Sequence, residues 1–298
     1  MKALLDNLSK PDNIAILLMM VLVAFHALLG FAQALANDRR LAFGRSPSAA
    51  APAPKEARVH VWPYLVRVEF LAALIVSVIL LVWSLGIDAP LEEEASPSLT
   101  PNPAKAPWYF LGLQEMLVYF DPWIAGVVLP TLIIFGLAAI PYLDINTHGG
   151  GYYTFRERKW TISVFCLGFF GLWLSLIVIG VFFRGPGWIW FWPWEEWDRA
   201  RVVAQVNVDL PELFGLDPRS GAGMALGGSV VALYYGLGAL VPYVYFRRKA
   251  PAAFGEFGNL RYGITSFLLL TMLALPLKMG LRLGLNVKYV WVTPWFNV

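Results

Sequence analysis

The chain has 298 residues, of which 58% are apolar and only 14% are charged, and its formal net charge is +3. Soluble domains are usually about half apolar and a quarter charged. The mean hydropathy is +0.60, and the apolar residues fall in long blocks rather than in short periodic faces. Composition therefore excludes an ordinary soluble enzyme and predicts an all-α, polytopic membrane protein.

Six stretches are long and apolar enough to cross a bilayer, which takes about 20 residues per helix. The first stretch also has features of a cleaved signal peptide, because Lys2 and Lys10 precede it and the small residues Ala34 and Ala36 lie at its end. Its apolar run is longer than that of a signal peptide, which favours a transmembrane helix. We therefore predict a transmembrane helix bundle of about six spans, at residues 13–36, 65–87, 123–143, 161–183, 224–246 and 263–283.

The loops between these stretches alternate in charge. Basic loops follow the first, third and fifth stretches, whereas residues 88–121 are acidic and residues 184–223 are mixed. Cytoplasmic loops of membrane proteins carry the excess of Lys and Arg. We therefore expect residues 37–64 to form a basic cytoplasmic loop and both termini to lie on the outer, periplasmic side of a bacterial inner membrane. The basic residues are Arg39, Arg40, Arg45, Lys55, Arg58, Arg156, Arg158, Lys159, Arg247, Arg248, Lys249 and Arg261.

The metal- and haem-ligating residue types are scarce. A membrane b-type haem needs two imidazoles that face each other, and of His26, His60 and His148 only His26 lies in a predicted span. We expect His26 to form a hydrogen bond with a neighbouring helix and any haem to be held by another chain. Cys166 is the single cysteine, which excludes a cysteine-ligated iron–sulfur cluster. The sequence also lacks nucleotide-binding and serine-hydrolase motifs, and nothing in it indicates nucleic-acid binding.

One segment between the second and third spans, residues 101–122, differs from the other connectors. Its first seven residues contain three prolines, which favour an extended backbone, and residues 108–119 can form a short helix. Trp108, Leu111 and Glu115 are spaced to share one face of that helix. An aromatic, apolar wall with one carboxylate suits a lipophilic molecule that must lose protons. The alternative is an interfacial helix that its aromatic residues anchor at the membrane surface.

The same segment carries a family resemblance. Residues 102–115, NPAKAPWYFLGLQE, resemble the outer loop of the C-terminal half of cytochrome b, around that family's Pro-Glu-Trp-Tyr motif, which also occurs in subunit IV of bf complexes. Residues 182–188, FFRGPGW, are similar to a run after the next helix in some bacterial members. The resemblance covers residues 65–200. Residues 1–36 are then an extra N-terminal helix, and residues 201–298 add two spans and an outer tail.

This resemblance implies a membrane subunit of a bc-type quinol:cytochrome c oxidoreductase in an electron-transport chain such as the respiratory chain. In that family, quinol gives one electron to a Rieske iron–sulfur protein and one to haem b, and releases protons on the outer side. The expected partners are the haem-bearing N-terminal-half subunit of cytochrome b, the Rieske protein, a cytochrome c subunit and membrane lipids. The expected quinol is menaquinol or ubiquinol. Alone, the chain is expected to catalyse nothing.

The resemblance also names candidate site residues. Pro107, Trp108, Tyr109, Phe110 and Leu111 match the quinone-binding stretch of the family. Pro107 stands where the family has the glutamate that is thought to accept a quinol proton. We hypothesise that Glu115, the next carboxylate along the chain, substitutes for it, because an apolar pocket favours a carboxylate that can take up a proton near neutral pH. Tyr109 is then placed to form a hydrogen bond with the quinone ring.

Two further interpretations stay open at this stage. The aromatic loop at residues 185–199 contains five tryptophans within 188–197, which fits either an interfacial belt or a docking surface for a redox partner. The competing function is a haem-free membrane scaffold or transporter subunit without a quinone site. Transporters usually show internal repeats and interrupted helices with polar groups at the membrane midplane, and neither is evident here.

Overall fold

The computed structural model describes residues 5, 7–47, 60–88, 94, 96–98, 100–204 and 206–298. Within these ranges the chain is helical and contains no β-strand, only isolated bridges such as that between Arg184 and Trp190. The α-helices are α1 Pro11–Ala42, α2 Val66–Gly86, α3 Leu111–Met116, α4 Leu129–Leu143, α5 Lys159–Cys166, α6 Leu174–Val178, α7 Gly221–Lys249, α8 Pro251–Phe257 and α9 Asn259–Leu285.

Six helical stretches of the described chain are long and apolar enough to cross a membrane, which confirms the predicted all-α bundle of six spans. Several are continued by π-helical turns, so that α5, α6 and two π-helical segments form one span. The chain is thus a multi-pass membrane protein. The spans are Asn13–Ala42, Val61–Gly86, Ile124–Leu143, Lys159–Phe183, Gly221–Lys249 and Asn259–Leu285.

The first helix differs from its predicted end. It does not stop at residue 36 but continues to Ala42, so that Arg39 and Arg40 form its last turn instead of belonging to the following loop. Basic side chains are favourable at that position because they complement the negative end of the helix dipole. The second span likewise begins at Val61 rather than at residue 65. Lys55 and Arg58 of the predicted basic loop lie outside the described residues.

The chain divides into two compact units, of which one comprises residues 8–101 and 148–159. In this unit the C-terminal turn of α1 is tied to the segment that follows the third span. Asp38 accepts hydrogen bonds from the Thr154 hydroxyl and from the backbone N–H groups of Phe155 and Arg156, while Asn37 donates to the Tyr153 carbonyl. Thr154 is almost fully buried. These polar contacts fix the end of the extra N-terminal helix to a second part of the chain.

The other unit comprises residues 1–7, 102–147 and 160–298. Its main apolar cluster joins the short helix α3 and the turn that follows it to the third, fourth and sixth spans. Burial of large side chains at such a junction is the main favourable contribution to packing in a small core. The members of the cluster are Met116, Tyr119, Phe120, Ala125, Leu176 and Leu275.

Two glycines let α3 lie directly on the fourth span. A Cβ atom at Gly180 would lie 3.3 Å from both the Cβ atom and the carbonyl oxygen of Leu111, and one at Gly112 would lie 3.4 Å from Ile177 Cγ1. Gly180 is part of the π-helical segment Ile179–Phe183 that ends the span. Without side chains at these positions, the two helices approach closely enough for Leu111 to be buried.

We predict that Gly180→Val lowers the denaturation temperature of the protein in detergent. The added side chain collides with the backbone of α3, and overpacking of this kind costs about 1–3 kcal/mol. Gly126→Val is the matched control, because a Cβ atom at Gly126 meets nothing within 4 Å. Equal denaturation temperatures for the two variants would contradict close packing of α3 on the fourth span.

Candidate functional site

The extended approach to α3 is held by Gln114 of that same helix. The backbone N–H of Ala106 donates to Gln114 Oε1, and Gln114 Nε2 donates to the Ala104 carbonyl, both at 2.8 Å. Lys105 donates to the carbonyl of Val181 at 2.9 Å, and its Nζ lies 4.6 Å from the centre of the Trp197 ring. These contacts fix the prolines of the segment on both sides of Lys105 and set the start of the helix that follows.

The aromatic residues of the segment form a short 3₁₀ turn, Trp108–Phe110, that begins after Pro107. Neighbouring rings in this turn contact each other. The ring centroids of Trp108 and Tyr109 lie 5.6 Å apart, and those of Tyr109 and Phe110 lie 4.7 Å apart. Tyr109 is 51% exposed and Phe110 is 50% exposed. Pro107 is also exposed, and Trp108 is half-buried. The turn therefore presents an aromatic surface from which other molecules can be contacted.

The predicted common face of Trp108, Leu111 and Glu115 is only partly present. Leu111 and Glu115 are both buried on the same side of α3, whereas Trp108 is half-buried and belongs to the preceding 3₁₀ turn, outside the α-helix that the spacing assumed. Leu111 packs against Gly180 and is 3% exposed. It therefore supports the aromatic surface from below rather than lining it.

Glu115 lies at the centre of a buried hydrogen-bond network, with a side chain that is 0% exposed. Arg184 Nε donates to Oε2 at 2.8 Å and Arg184 Nη2 donates to Oε1 at 2.6 Å, which is a bidentate ion pair. The Tyr119 hydroxyl donates to Oε1 at 2.8 Å, and Trp188 Nε1 donates to Oε2 at 3.0 Å. Both carboxylate oxygens thus accept two hydrogen bonds each.

The surroundings shift the ionisation of both partners of this carboxylate. Burial raises the pKa of the Tyr119 phenol, and the neighbouring Glu115 carboxylate raises it further, so that Tyr119 remains a hydrogen-bond donor. Burial alone lowers the pKa of the Arg184 guanidinium, but its hydrogen bonds with Glu115 and the charge of that group outweigh burial and raise the pKa above its ordinary value. Arg184 is therefore a permanent cation opposite Glu115.

The sequence patterns singled out Glu115 but missed its partners, Tyr119, Arg184 and Trp188. Tyr119 follows Glu115 by four residues, a spacing that places two side chains on one helical face, and this signal could have found it. Arg184 and Trp188 belong to the FFRGPGW run that the resemblance had marked. No local pattern, however, links that run to Glu115, which lies 69 residues before Arg184.

The aromatic loop at residues 185–199 combines buried and exposed rings. Phe191 is 1% exposed, whereas Trp192 and Trp194 are 46% and 60% exposed and stack on each other with centroids 5.3 Å apart. The Trp190 ring packs against Arg184, whose guanidinium carbon lies 5.6 Å from the centre of that ring. The loop is thus anchored beside the Glu115 network and projects tryptophans outward, as either a membrane belt or a docking surface requires.

The described residues offer no geometry for haem or metal ligation. His26 forms a 2.7 Å hydrogen bond with the Leu22 carbonyl of its own helix rather than the expected one with a neighbouring helix, because a carbonyl four residues earlier lies within reach of its ring. His60 and His148 are exposed. In the described ranges no three His, Cys, Asp or Glu side chains are grouped closely enough to hold a metal ion. The donor set present on the described chain does not fit a membrane b-type haem.

Residues 94–184 match the family described as Cytochrome b(C-terminal)/b6/petD. This segment is similar to the C-terminal part of cytochrome b. The match contains the aromatic turn and both members of the Glu115–Arg184 pair, and it stops before the last two spans. Neither the curated proteins nor the solved structures give a match. The match supports a membrane subunit of a bc- or bf-type complex, of the kind that carries the C-terminal part of a split cytochrome b and works with partner subunits.

We predict that the single variant Glu115→Leu destabilises the protein more than the double variant Glu115→Leu/Arg184→Met. Removing one member of a buried ion pair leaves an uncompensated charge and costs about 3–5 kcal/mol, whereas an apolar replacement of both members is often neutral. Thermal denaturation in detergent, followed by tryptophan fluorescence, measures both variants. Additive losses in the double variant would show that the two side chains do not depend on each other.

Proposed function

We propose that this chain helps to form the outer-side quinol-oxidation site of a bc-type complex in a bacterial inner membrane. Haem b, the Rieske iron–sulfur centre and cytochrome c would reside on partner subunits. One observation supports this most strongly. The segment that matches the cytochrome b C-terminal family presents Trp108, Tyr109 and Phe110 as an aromatic surface, on a helix that a buried ion pair holds in place.

The residues of this surface fit a quinol, which is a flat, uncharged aromatic ring with two hydroxyl groups. Trp108 and Phe110 supply apolar ring faces and exclude water, and the Tyr109 hydroxyl can donate or accept a hydrogen bond at a quinol oxygen. The quinol supplies two electrons and two protons when it is oxidised. The partner subunits would complete the opposite wall of the pocket and take up the electrons.

The assignment of Glu115 as the acceptor of a quinol proton remains a proposal, with a condition attached. Its carboxylate is buried and accepts four hydrogen bonds, so that a proton must arrive through one of those donors. The phenol of Tyr119 is the one donor in this set that both carries a proton and can take one back. A route through Tyr119 would need one of the Arg184 contacts to loosen during turnover.

The membrane orientation is part of the same proposal. With the basic loops in the cytoplasm, residues 101–122 and 185–199 lie on the outer side together with both termini. Proton release from a quinol at the aromatic turn would then be directed outward and would contribute to proton translocation. The cytoplasmic end of α7, with Arg247, Arg248 and Lys249 in its last turn, would face anionic lipid.

The central test is a redox-difference spectrum of the complex that co-purifies with this chain in mild detergent. We expect haem b that quinol reduces, and we expect a quinone analogue specific for the outer site to block reduction of the acceptor. A preparation without haem b and without bound quinone would contradict the proposal. It would leave a membrane scaffold or transporter subunit whose aromatic turn is an interfacial anchor.

We predict that Tyr109→Phe lowers kcat/KM for quinol about fivefold in the purified complex. The variant removes one hydrogen bond worth about 1 kcal/mol and keeps the ring. Tyr142→Phe is the control, because Tyr142 is also an exposed tyrosine but lies at the opposite end of the third span. An unchanged kcat/KM for Tyr109→Phe would remove Tyr109 from the quinol site.

We further predict that Glu115→Gln and Arg184→Gln have different effects on the pH profile of quinol oxidation. If Glu115 accepts a quinol proton, the rate of quinol oxidation should rise with pH in the wild type, and Glu115→Gln should lower that rate and abolish the rise. Arg184→Gln should keep the rise in the fraction of the enzyme that still assembles. Haem content of each preparation measures assembly separately. If both variants lose assembly equally and the remaining enzyme keeps the native pH profile, Glu115 is a positioning residue only.

A further inference from the structure

A second site lies beside the Glu115 network, on the far side of Arg184 and Trp188. It is an open cavity of about 790 Å³, a volume within the range of small-molecule binding sites. None of the residues Pro107 to Leu111 lines it, and neither does Glu115. The cavity is therefore separate from the aromatic surface to which the quinol was assigned, although the two share the Arg184 neighbourhood.

Among the residues that the structure describes, the lining of this cavity is cationic and contains no acidic side chain. Arg184, Arg282 and Lys288 all contribute to it. The charge of Arg184 is balanced by Glu115, but in the part of the chain that the structure describes no carboxylate forms an ion pair with Arg282 or Lys288. Two positive charges therefore remain for a ligand.

The Arg282 guanidinium is oriented by neutral acceptors only. Its Nη2 donates to Asn207 Oδ1 at 2.5 Å, and its Nη1 donates to the Asn286 carbonyl at 3.3 Å. Such contacts fix the position of the guanidinium and leave its charge uncompensated. The Nζ atom of Lys288 lies 5.1 Å from the centre of the Tyr289 ring, and the Asp209 carboxylate interacts with it electrostatically without forming an ion pair.

The lining also contains the neutral amides Asn102, Gln114 and Asn286, and apolar side chains next to a membrane span. Val203, Val206 and Leu283 contribute to the cavity, and Leu283 is 62% exposed at the end of α9, which is the sixth span. A neutral quinol does not require two unpaired cations. A phosphodiester with attached acyl chains matches both the cations and the apolar side, because basic pockets at the ends of membrane helices bind lipid headgroups.

We propose that this cavity binds the phosphate of an anionic phospholipid, with Arg282 and Lys288 as the charged ligands and Leu283 beside the acyl chains. The bound lipid links the loop at residues 203–206 to the end of the sixth span. It neutralises the two cations that the protein itself leaves unpaired. The site is independent of quinol oxidation and lies largely outside the segment that matches the cytochrome b family.

The test uses the purified complex, or the full chain in detergent, after delipidation. Phosphatidylglycerol is titrated while the denaturation temperature is recorded, with phosphatidylcholine as the zwitterionic lipid and inorganic phosphate as the free anion. We expect phosphatidylglycerol to raise the denaturation temperature in a saturable manner, and phosphatidylcholine and inorganic phosphate to have little effect. Lys288→Gln, and the double variant Arg282→Gln/Lys288→Gln, should weaken the apparent affinity about tenfold or more.

The matched control for Lys288→Gln is Arg219→Gln, which removes one exposed cation next to the start of another span and outside the cavity. We expect it to keep the native affinity. An equal loss of affinity in the control would mean that general surface charge binds the lipid, and it would contradict the proposed site. Saturation by inorganic phosphate alone would replace the lipid with a free anion. No response of the wild type to any of the three would also overturn the proposal, and native mass spectrometry of the co-purified lipid checks the result if a variant folds poorly.

Discussion

The ion pair between Glu115 and Arg184 is the interaction on which the candidate site depends. It joins the short helix α3 to the end of the fourth span, and Trp188 adds the following 3₁₀ turn to the same carboxylate. A charge in this position is tolerated only because its partner is bidentate and because further donors satisfy both oxygens. The close approach at Gly180 brings the two helices to the distance at which the pair can form.

One side of α3 is buried and fixed, whereas the aromatic turn before it is accessible to other molecules. Below α3, Leu111 and Glu115 are buried and fixed, whereas above it Tyr109 and Phe110 are about half exposed. Aromatic residues on a fixed helix can bind a flat ring without first losing their own conformational freedom, which reduces the entropy lost on binding. The same fixed Arg184 forms part of the wall of the cationic cavity, so that one ion pair supports two neighbouring surfaces of different chemistry.

The spans were predictable because hydropathy is a local property of the sequence. All six predicted stretches are helices, and the differences concern only where the helices begin and end. The first helix extends past its apolar run to Ala42, because Arg39 and Arg40 in its last turn complement the helix dipole. The resemblance located the candidate site for a similar reason, since a short contiguous motif carries it. The predicted face of Trp108, Leu111 and Glu115 assumed one α-helix, whereas the chain forms a 3₁₀ turn at Trp108 and begins the α-helix only at Leu111.

The sequence by itself determined that this protein is a membrane protein with six spans and that one segment resembles the C-terminal half of cytochrome b. Those properties follow from runs of neighbouring residues. Only the tertiary structure decided that Glu115 is buried against Arg184, that Leu111 packs inward, and that Arg282 and Lys288 share a cavity with Arg184. These pairings join residues far apart in the chain, and they depend on how closely the helices pack, which no local pattern of residues encodes.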